Sequence, residues 1–108
     1  GVRRAIEIGR ELKKMGKDLY GIRLDSGDLA NLSEWAREEL DKAGLRETII
    51  IASNELDEWL ISELKRQGAK ISCWGIGTHL VTGGGQGALD GVYKLSAICS
   101  DSGKWQYK

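Results

Sequence analysis

The sequence predicts an α/β fold: consecutive βα units with parallel strands, followed by a β-hairpin. Three observations predict it. Short apolar runs alternate with longer stretches of helical period, one run is β-branched almost throughout, and each run stops at a polar or glycine-containing turn.

Ala5, Ile8, Leu12 and Met15 stand three and four residues apart, the stripe of an amphipathic helix over residues 3–15, and Gly16 stands where that helix would end. Leu19 to Leu24 is a short apolar stretch that stops at Asp25-Ser26-Gly27-Asp28, so it reads as a strand and then a loop. From Leu29 the helical period resumes through Leu32, Ala36, Leu40 and Ala43, with Asp28 as N-cap and Gly44 at the C′ position. Thr48 to Ala52 is continuous rather than alternating, the pattern of a parallel strand covered on both faces. Asn54 is placed to cap the next helix, with Asp57 answering three residues on. Leu56, Leu60, Ile61 and Leu64 supply that helix's buried stripe, and Gly68 closes it. Ile71 to Trp74 reads as a third strand, ending in Gly75-Ile76-Gly77-Thr78. Thr82 to Gly87 is too rich in glycine for a helix and reads as a mobile loop. Val92 to Ile98 and Lys104 to Tyr107 then predict a hairpin turning at Asp101-Ser102-Gly103.

Composition narrows the function classes. Charged residues make up 30% and hydrophobic ones 41%, an ordinary globular balance, and 16 basic side chains meet 16 acidic ones. Without a net charge or a Lys/Arg stripe there is no footprint for nucleic acid or an anionic membrane, and no apolar run approaches a membrane span. The default expectation is a cytoplasmic protein. Cys73 and Cys99 form no C-x-x-C pair and are expected as reduced thiols, at least one of them buried; no metal site is expected. Residues 1–108 are expected to form one domain or part of one. The start at Gly1 without Met and the stop at Lys108 inside a predicted strand lead to the expectation of a cut piece.

The polar clusters at Asp25, Asn54 and Gly77 lie 29 and 23 residues apart, about one βα unit each. In a parallel sheet they share the edge formed by the strands' carboxyl ends, where α/β folds build their sites. Together they offer a carboxylate, a hydroxyl and amide, and a turn of exposed backbone N–H groups, which suits a phosphorylated sugar. Taken singly, each reads more readily as a helix cap or a tight turn; it is their joint placement that favours a site. The third glycine of a dinucleotide fingerprint is missing and no G-x-x-x-x-G-K-[ST] occurs, so neither of those nucleotide sites matches. His79, the sole histidine, has no metal partner and no evident nucleophile to serve, and reads as structural or peripheral.

Four segments, Gly21-Ile22-Arg23-Leu24-Asp25-Ser26-Gly27-Asp28-Leu29, Ala52-Ser53-Asn54-Glu55-Leu56-Asp57-Glu58, Gly75-Ile76-Gly77-Thr78-His79-Leu80-Val81-Thr82 and Gly91-Val92-Tyr93-Lys94-Leu95, resemble the nicotinate phosphoribosyltransferases, in that order and across nearly the whole chain. The resemblance implies part of an irregular TIM-like barrel, of which 108 residues fall well short of the roughly 250 a closed barrel needs. It implies a homo-oligomer with its active site at a dimer interface. The activity implied is the joining of nicotinate to phosphoribosyl pyrophosphate, coupled to ATP hydrolysis through a phosphohistidine, with Mg²⁺ and ATP as accessories, in NAD biosynthesis. Carried over residue by residue, Arg23 and Asp25 would lie beside the pyridine ring and ribose as the catalytic pair. Ser53 and Asn54 would meet the ribose hydroxyls, and Gly75, Gly77 and Thr78 the 5′-phosphate.

Two departures accompany the resemblance. Gly87-Ala88-Leu89-Asp90-Gly91 stands where the family has a proline followed by Ala-Leu-Gly-Gly, and the chain contains no proline. The family's phosphorylated histidine and nicotinate-carboxylate contacts would lie upstream of Gly1, and His79 does not take that histidine's place, so the isolated piece is expected to be inactive. The alternatives are a nicotinamide- or quinolinate-using relative, differing around Arg23-Leu24-Asp25 and Ser53-Asn54, and a non-catalytic α/β scaffold whose polar turns are all caps.

Overall fold

The structure, a computed structural model, describes residues 1–84, 87, 89 and 91–108. Its elements run α1 (Val2–Lys14), β1 (Gly21–Leu24), α2 (Leu29–Lys42), β2 (Ile49–Ser53), α3 (Glu58–Arg66), β3 (Cys73–Gly75), α4 (Thr78–Thr82), β4 (Ala97–Cys99) and β5 (Trp105–Tyr107). β1, β2 and β3 form a parallel sheet in that order, with Arg23 opposite Ile51 and Ser53 opposite Gly75. Parallel neighbours need a crossover, and α2 and α3 supply the two. β4 and β5 pair antiparallel, Ile98 against Gln106, around the Asp101–Gly103 turn. They pair with each other and not with the parallel sheet. The predicted strand from Val92 shrinks to Ala97–Cys99, and the described residues between 91 and 96 carry no strand.

The core lies on one face of the parallel sheet. Ile22 and Ile50 meet Ile6 of α1 and Ala36 and Leu40 of α2, with Leu45 beneath. Ala52 meets Leu29, Ala30, Leu56 and Leu64 in a second cluster. Ile49, Ile51 and Ser53 are one residue out of phase and only half-buried. The expectation that β2 is covered on both faces is therefore corrected: three crossover-length helices find room on one side, and the β-branched run does not by itself bring a second layer.

The α1 stripe is also rotated from its predicted position. Ile6 and Gly9 are the buried residues, while Ile8 is 47% and Met15 67% exposed. At Gly9 a Cβ would stand 2.7 Å from Leu45 Cδ1, so glycine there lets the Leu45 and Leu19 side chains lie close against the helix. Leu60, predicted inside, is 38% exposed, while Leu56 and Leu64 are buried and Ile61 packs against them. Asp57, not Asn54, is the N-cap, and it accepts a 2.7 Å hydrogen bond from Leu60 N–H.

Below the sheet, at the amino ends of the strands, polar groups tie the layers. Arg37 Nη1 donates to Thr48 carbonyl at 2.7 Å, Nη2 to Leu45 carbonyl at 2.8 Å, and the Thr48 hydroxyl donates to Leu19 carbonyl at 2.9 Å. Ser33 is fully buried; its hydroxyl donates to Ala30 carbonyl and accepts from Lys70 N–H, joining α2 to the approach of β3. Both cysteines are exposed, which corrects the expectation of a buried thiol. Cys73 sits on an edge strand and Cys99 on the two-stranded hairpin, where little packs over either.

Candidate functional site

The carboxyl ends of β1, β2 and β3 lie side by side, as parallel pairing demands, and gather Asp25, Ser53–Asn54 and Gly75–Thr78 along one edge of the sheet. Arg23, near the end of β1, reaches across to the neighbouring strand. Its Nη1 donates to Ser53 Oγ at 3.0 Å, and its Nη2 stands 3.2 Å from Asp25 Oδ2. One guanidinium thus spans two strand ends, and its planar fork fixes both partners' directions. The Asp25–Gly27 loop is held from the other side by Asp28, which caps α2 through Asn31 N–H at 3.1 Å and takes a second bond from the Asn31 side-chain amide. Those bonds, the backbone one first, hold the Asp28 carboxyl below its usual range.

After β2 the chain turns sharply. Asn54 has φ +102° and Glu55 φ +46°, two successive residues with side chains in a region that favours glycine. Leu56 follows, 2% exposed in the second core, and its burial anchors the turn. Asn54 is consequently free of capping duty, and Ser53 and Asn54 stand at the sheet edge beside Gly75.

Gly75 is the last residue of β3, and Thr78 opens α4, a five-residue helix that the sequence pattern did not predict. Gly77 has φ −117° and ψ −88°, and among the described residues a Cβ built on it meets no atom within 4 Å. No described residue requires glycine there. Among the described residues no side chain caps α4, and its first amide groups have no side-chain partner there. His79 Nε2 lies 3.7 Å from Glu55 Oε2, which gives the histidine the partner that no sequence pattern indicated. Glu55 itself was missed, since contact between residues in two different loops has no local signature. Of the Gly83–Gly87 loop, Gly85 and Gln86 lie outside the described residues.

A groove of about 640 Å³ runs along the unpaired edge of β1 between α1 and α2, walled by Val2, Ala5, Ile8, Leu32 and Trp35. It reaches Arg23, Asp25 and Ser26 but touches none of Ser53, Asn54, Gly77 or Thr78. Its apolar walls mark an uncovered strand edge beside the site, not the site itself. Among the described residues no group of three or more His, Cys, Asp or Glu side chains is arranged to hold a metal ion, and no helix is long and apolar enough to cross a membrane.

No protein-family model matches the chain. Its sequence is 50% identical over 101 residues to a nicotinate phosphoribosyltransferase of Bacillus subtilis, covering 94% of the chain and 20% of that protein. It is 45% identical over 91 residues to nicotinate phosphoribosyltransferase pncB1 of Mycobacterium tuberculosis H37Rv, covering 84% and 20%. It is 41% identical over 105 residues to nicotinate phosphoribosyltransferase 2 of Arabidopsis thaliana, covering 91% and 19%. The chain spans about one fifth of the length of the curated relatives it matches. Along nearly its whole length, the chain is similar in sequence to a one-fifth segment of these nicotinate phosphoribosyltransferases.

Proposed function

We propose that the chain supplies ribose- and phosphate-binding loops to a nicotinate phosphoribosyltransferase. That enzyme joins nicotinate to phosphoribosyl pyrophosphate, with ATP hydrolysis coupled to the reaction, and yields nicotinate mononucleotide and pyrophosphate for NAD biosynthesis. The observation that carries the reading is the convergence of Arg23, Asp25, Ser53, Asn54, Gly77 and Thr78 on one sheet edge, in a chain whose relatives bear that name. The three-stranded sheet, helices on one face, is then a sector of an irregular TIM-like barrel whose helix-free face looks inward, completed by the rest of a cytoplasmic, homo-oligomeric protein.

In the reaction the pyridine nitrogen forms a bond to the anomeric carbon as the bond to pyrophosphate breaks, and the electron pair leaves with pyrophosphate. Positive charge develops on the sugar, so Asp25 serves as a fixed carboxylate near that charge and Arg23 holds it in place while facing the ring. Ser53 and Asn54 take the ribose hydroxyls. The amides after Gly77 and the Thr78 hydroxyl take the 5′-phosphate, which approaches closely because residue 77 has no side chain. Mg²⁺ and ATP belong to the whole protein in this reading; the described residues offer no metal cluster of their own, and Mg²⁺ would arrive with the pyrophosphate-bearing substrate.

The test is calorimetric titration of the full-length protein with nicotinate mononucleotide and with its dephosphorylated nucleoside. Wild type prefers the phosphorylated ligand, Gly77→Val loses the preference, and Thr78→Val weakens binding by about 1–3 kcal/mol through one lost charge-assisted hydrogen bond. An unchanged preference in Gly77→Val places the phosphate elsewhere and refutes the assignment.

A further inference from the structure

Ser53 and Gly75 are directly paired across β2 and β3, so the two turns that follow start from one level of the sheet. Beyond that level nothing in the strand ladder fixes the distance between them. The β2 turn is built from two side-chain-bearing residues at positive φ, Asn54 and Glu55, an arrangement that neighbouring contacts must hold. The β3 turn leads into α4, which no side chain among the described residues caps. One side-chain contact recorded between the two turns is Glu55 Oε2 to His79 Nε2 at 3.7 Å, with the imidazole about one third exposed.

We infer that Glu55 and His79 act as a clasp between these turns, positioning residues that set the span from Ser53–Asn54 to Gly77–Thr78 and thereby select a ribose carrying a 5′-phosphate. The inference rests on the ribose and phosphate assignments above. A sugar held by its hydroxyls at one turn and by its phosphate at the other binds through both only when the turns stand at the right separation. An unphosphorylated nucleoside uses one turn alone and is indifferent to it. The clasp therefore acts on the ratio of the two affinities more than on either affinity by itself. At 3.7 Å the contact is too long for a hydrogen bond and is an ion pair when the imidazole carries a proton; exposed pairs of this kind are worth about a two- to five-fold change in an equilibrium.

The experiment titrates the full-length protein with nicotinate mononucleotide and its nucleoside, in wild type, Glu55→Gln, His79→Ala, the double variant and His79→Lys. Each of the first two single variants lowers the affinity ratio by roughly two- to five-fold, with the melting temperature essentially unmoved. The double variant is no worse than either single, because both remove one contact. His79→Lys restores the ratio, since an ammonium can meet the same carboxylate. Losses that add in the double variant, or a ratio unchanged in every variant while wild type retains its preference, overturn the clasp alone. Absence of any preference for phosphate in wild type overturns the functional reading and the clasp with it.

Discussion

Replacing Ser33 by alanine removes one oxygen from a fully buried position of α2 and should unlock the junction between α2 and β3. The hydroxyl makes two bonds, donating to Ala30 carbonyl at 2.8 Å and accepting from Lys70 N–H at 2.9 Å. The first is dispensable, because the Ala30 carbonyl keeps its place in the helix ladder. The second is not: Lys70 N–H loses its acceptor in a partly buried site. A buried donor left without a partner costs about 1–3 kcal/mol, and access of water to a half-buried amide puts the expected loss near the lower half, about 1–2 kcal/mol. Ser62 provides the control. Its hydroxyl donates to Glu58 carbonyl at 2.7 Å in the same one-turn geometry but accepts from no amide and lies on the exposed face of α3, so Ser62→Ala is expected to stay within about 0.5 kcal/mol. Urea unfolding followed by tryptophan fluorescence reads both, and amide exchange reads Lys70 itself, which should open faster in Ser33→Ala. Equal midpoints for the two variants, or an unchanged Lys70 exchange rate, would refute the reasoning.

Asp57→Ala removes the α3 cap and should destabilise by about 1 kcal/mol in urea unfolding; no change would mean that Asp57 is not the capping residue. Asn54→Gly relieves a side chain at φ +102° and should stabilise by about 1 kcal/mol net of glycine's greater unfolded freedom, and a lowered melting temperature would contradict that strain. Glu63 is pushed down to about 2 by hydrogen bonds from Arg66 and then Gln67. Because its folded value is depressed, its contribution to stability is present above the usual carboxylate value of 4.5 and is lost as pH falls towards 2. Glu63→Gln should therefore flatten the stability profile across that window, and parallel profiles for variant and wild type would count against the pairing. On the proposed function, Asp25→Ala in the full-length protein should lower turnover by roughly 10²-fold while its exposed pair with Arg23 contributes at most about 1 kcal/mol to stability, so a large melting shift with a normal rate would make Asp25 structural.

The alternation of strand and helix was legible because its signals are local: the α2 cap at Asp28 and the C′ glycine at Gly44 were read from neighbours three or four residues away. The convergence of Asp25, Asn54 and Gly77 was also legible, since parallel strands separated by one crossover must end together. What was not legible depended on partners far along the chain. The α1 face buries Ile6 and Gly9, the latter beside Leu45 from a later loop, the α3 cap is Asp57 with Leu56 buried in the core before it, and the Glu55–His79 contact joins two loops whose separation no period encodes. The cover on β2 failed for a related reason: a β-branched run reports a preference for strand, and only the helices' placement decides how many faces are dry. The short α4 escaped notice because five residues carry less than two full helical repeats.

The clamp formed by Arg37, Thr48 and Leu45 sits at the amino ends of the strands, whereas the loops proposed to meet substrate leave from the carboxyl ends. The two sets of groups share a sheet but no side chain. Natural drift or laboratory selection for heat tolerance can therefore work on the lower rim, exchanging carbonyl-gripping residues, without passing through the residues that face a ligand. The upper rim is free to change on an unchanged foundation.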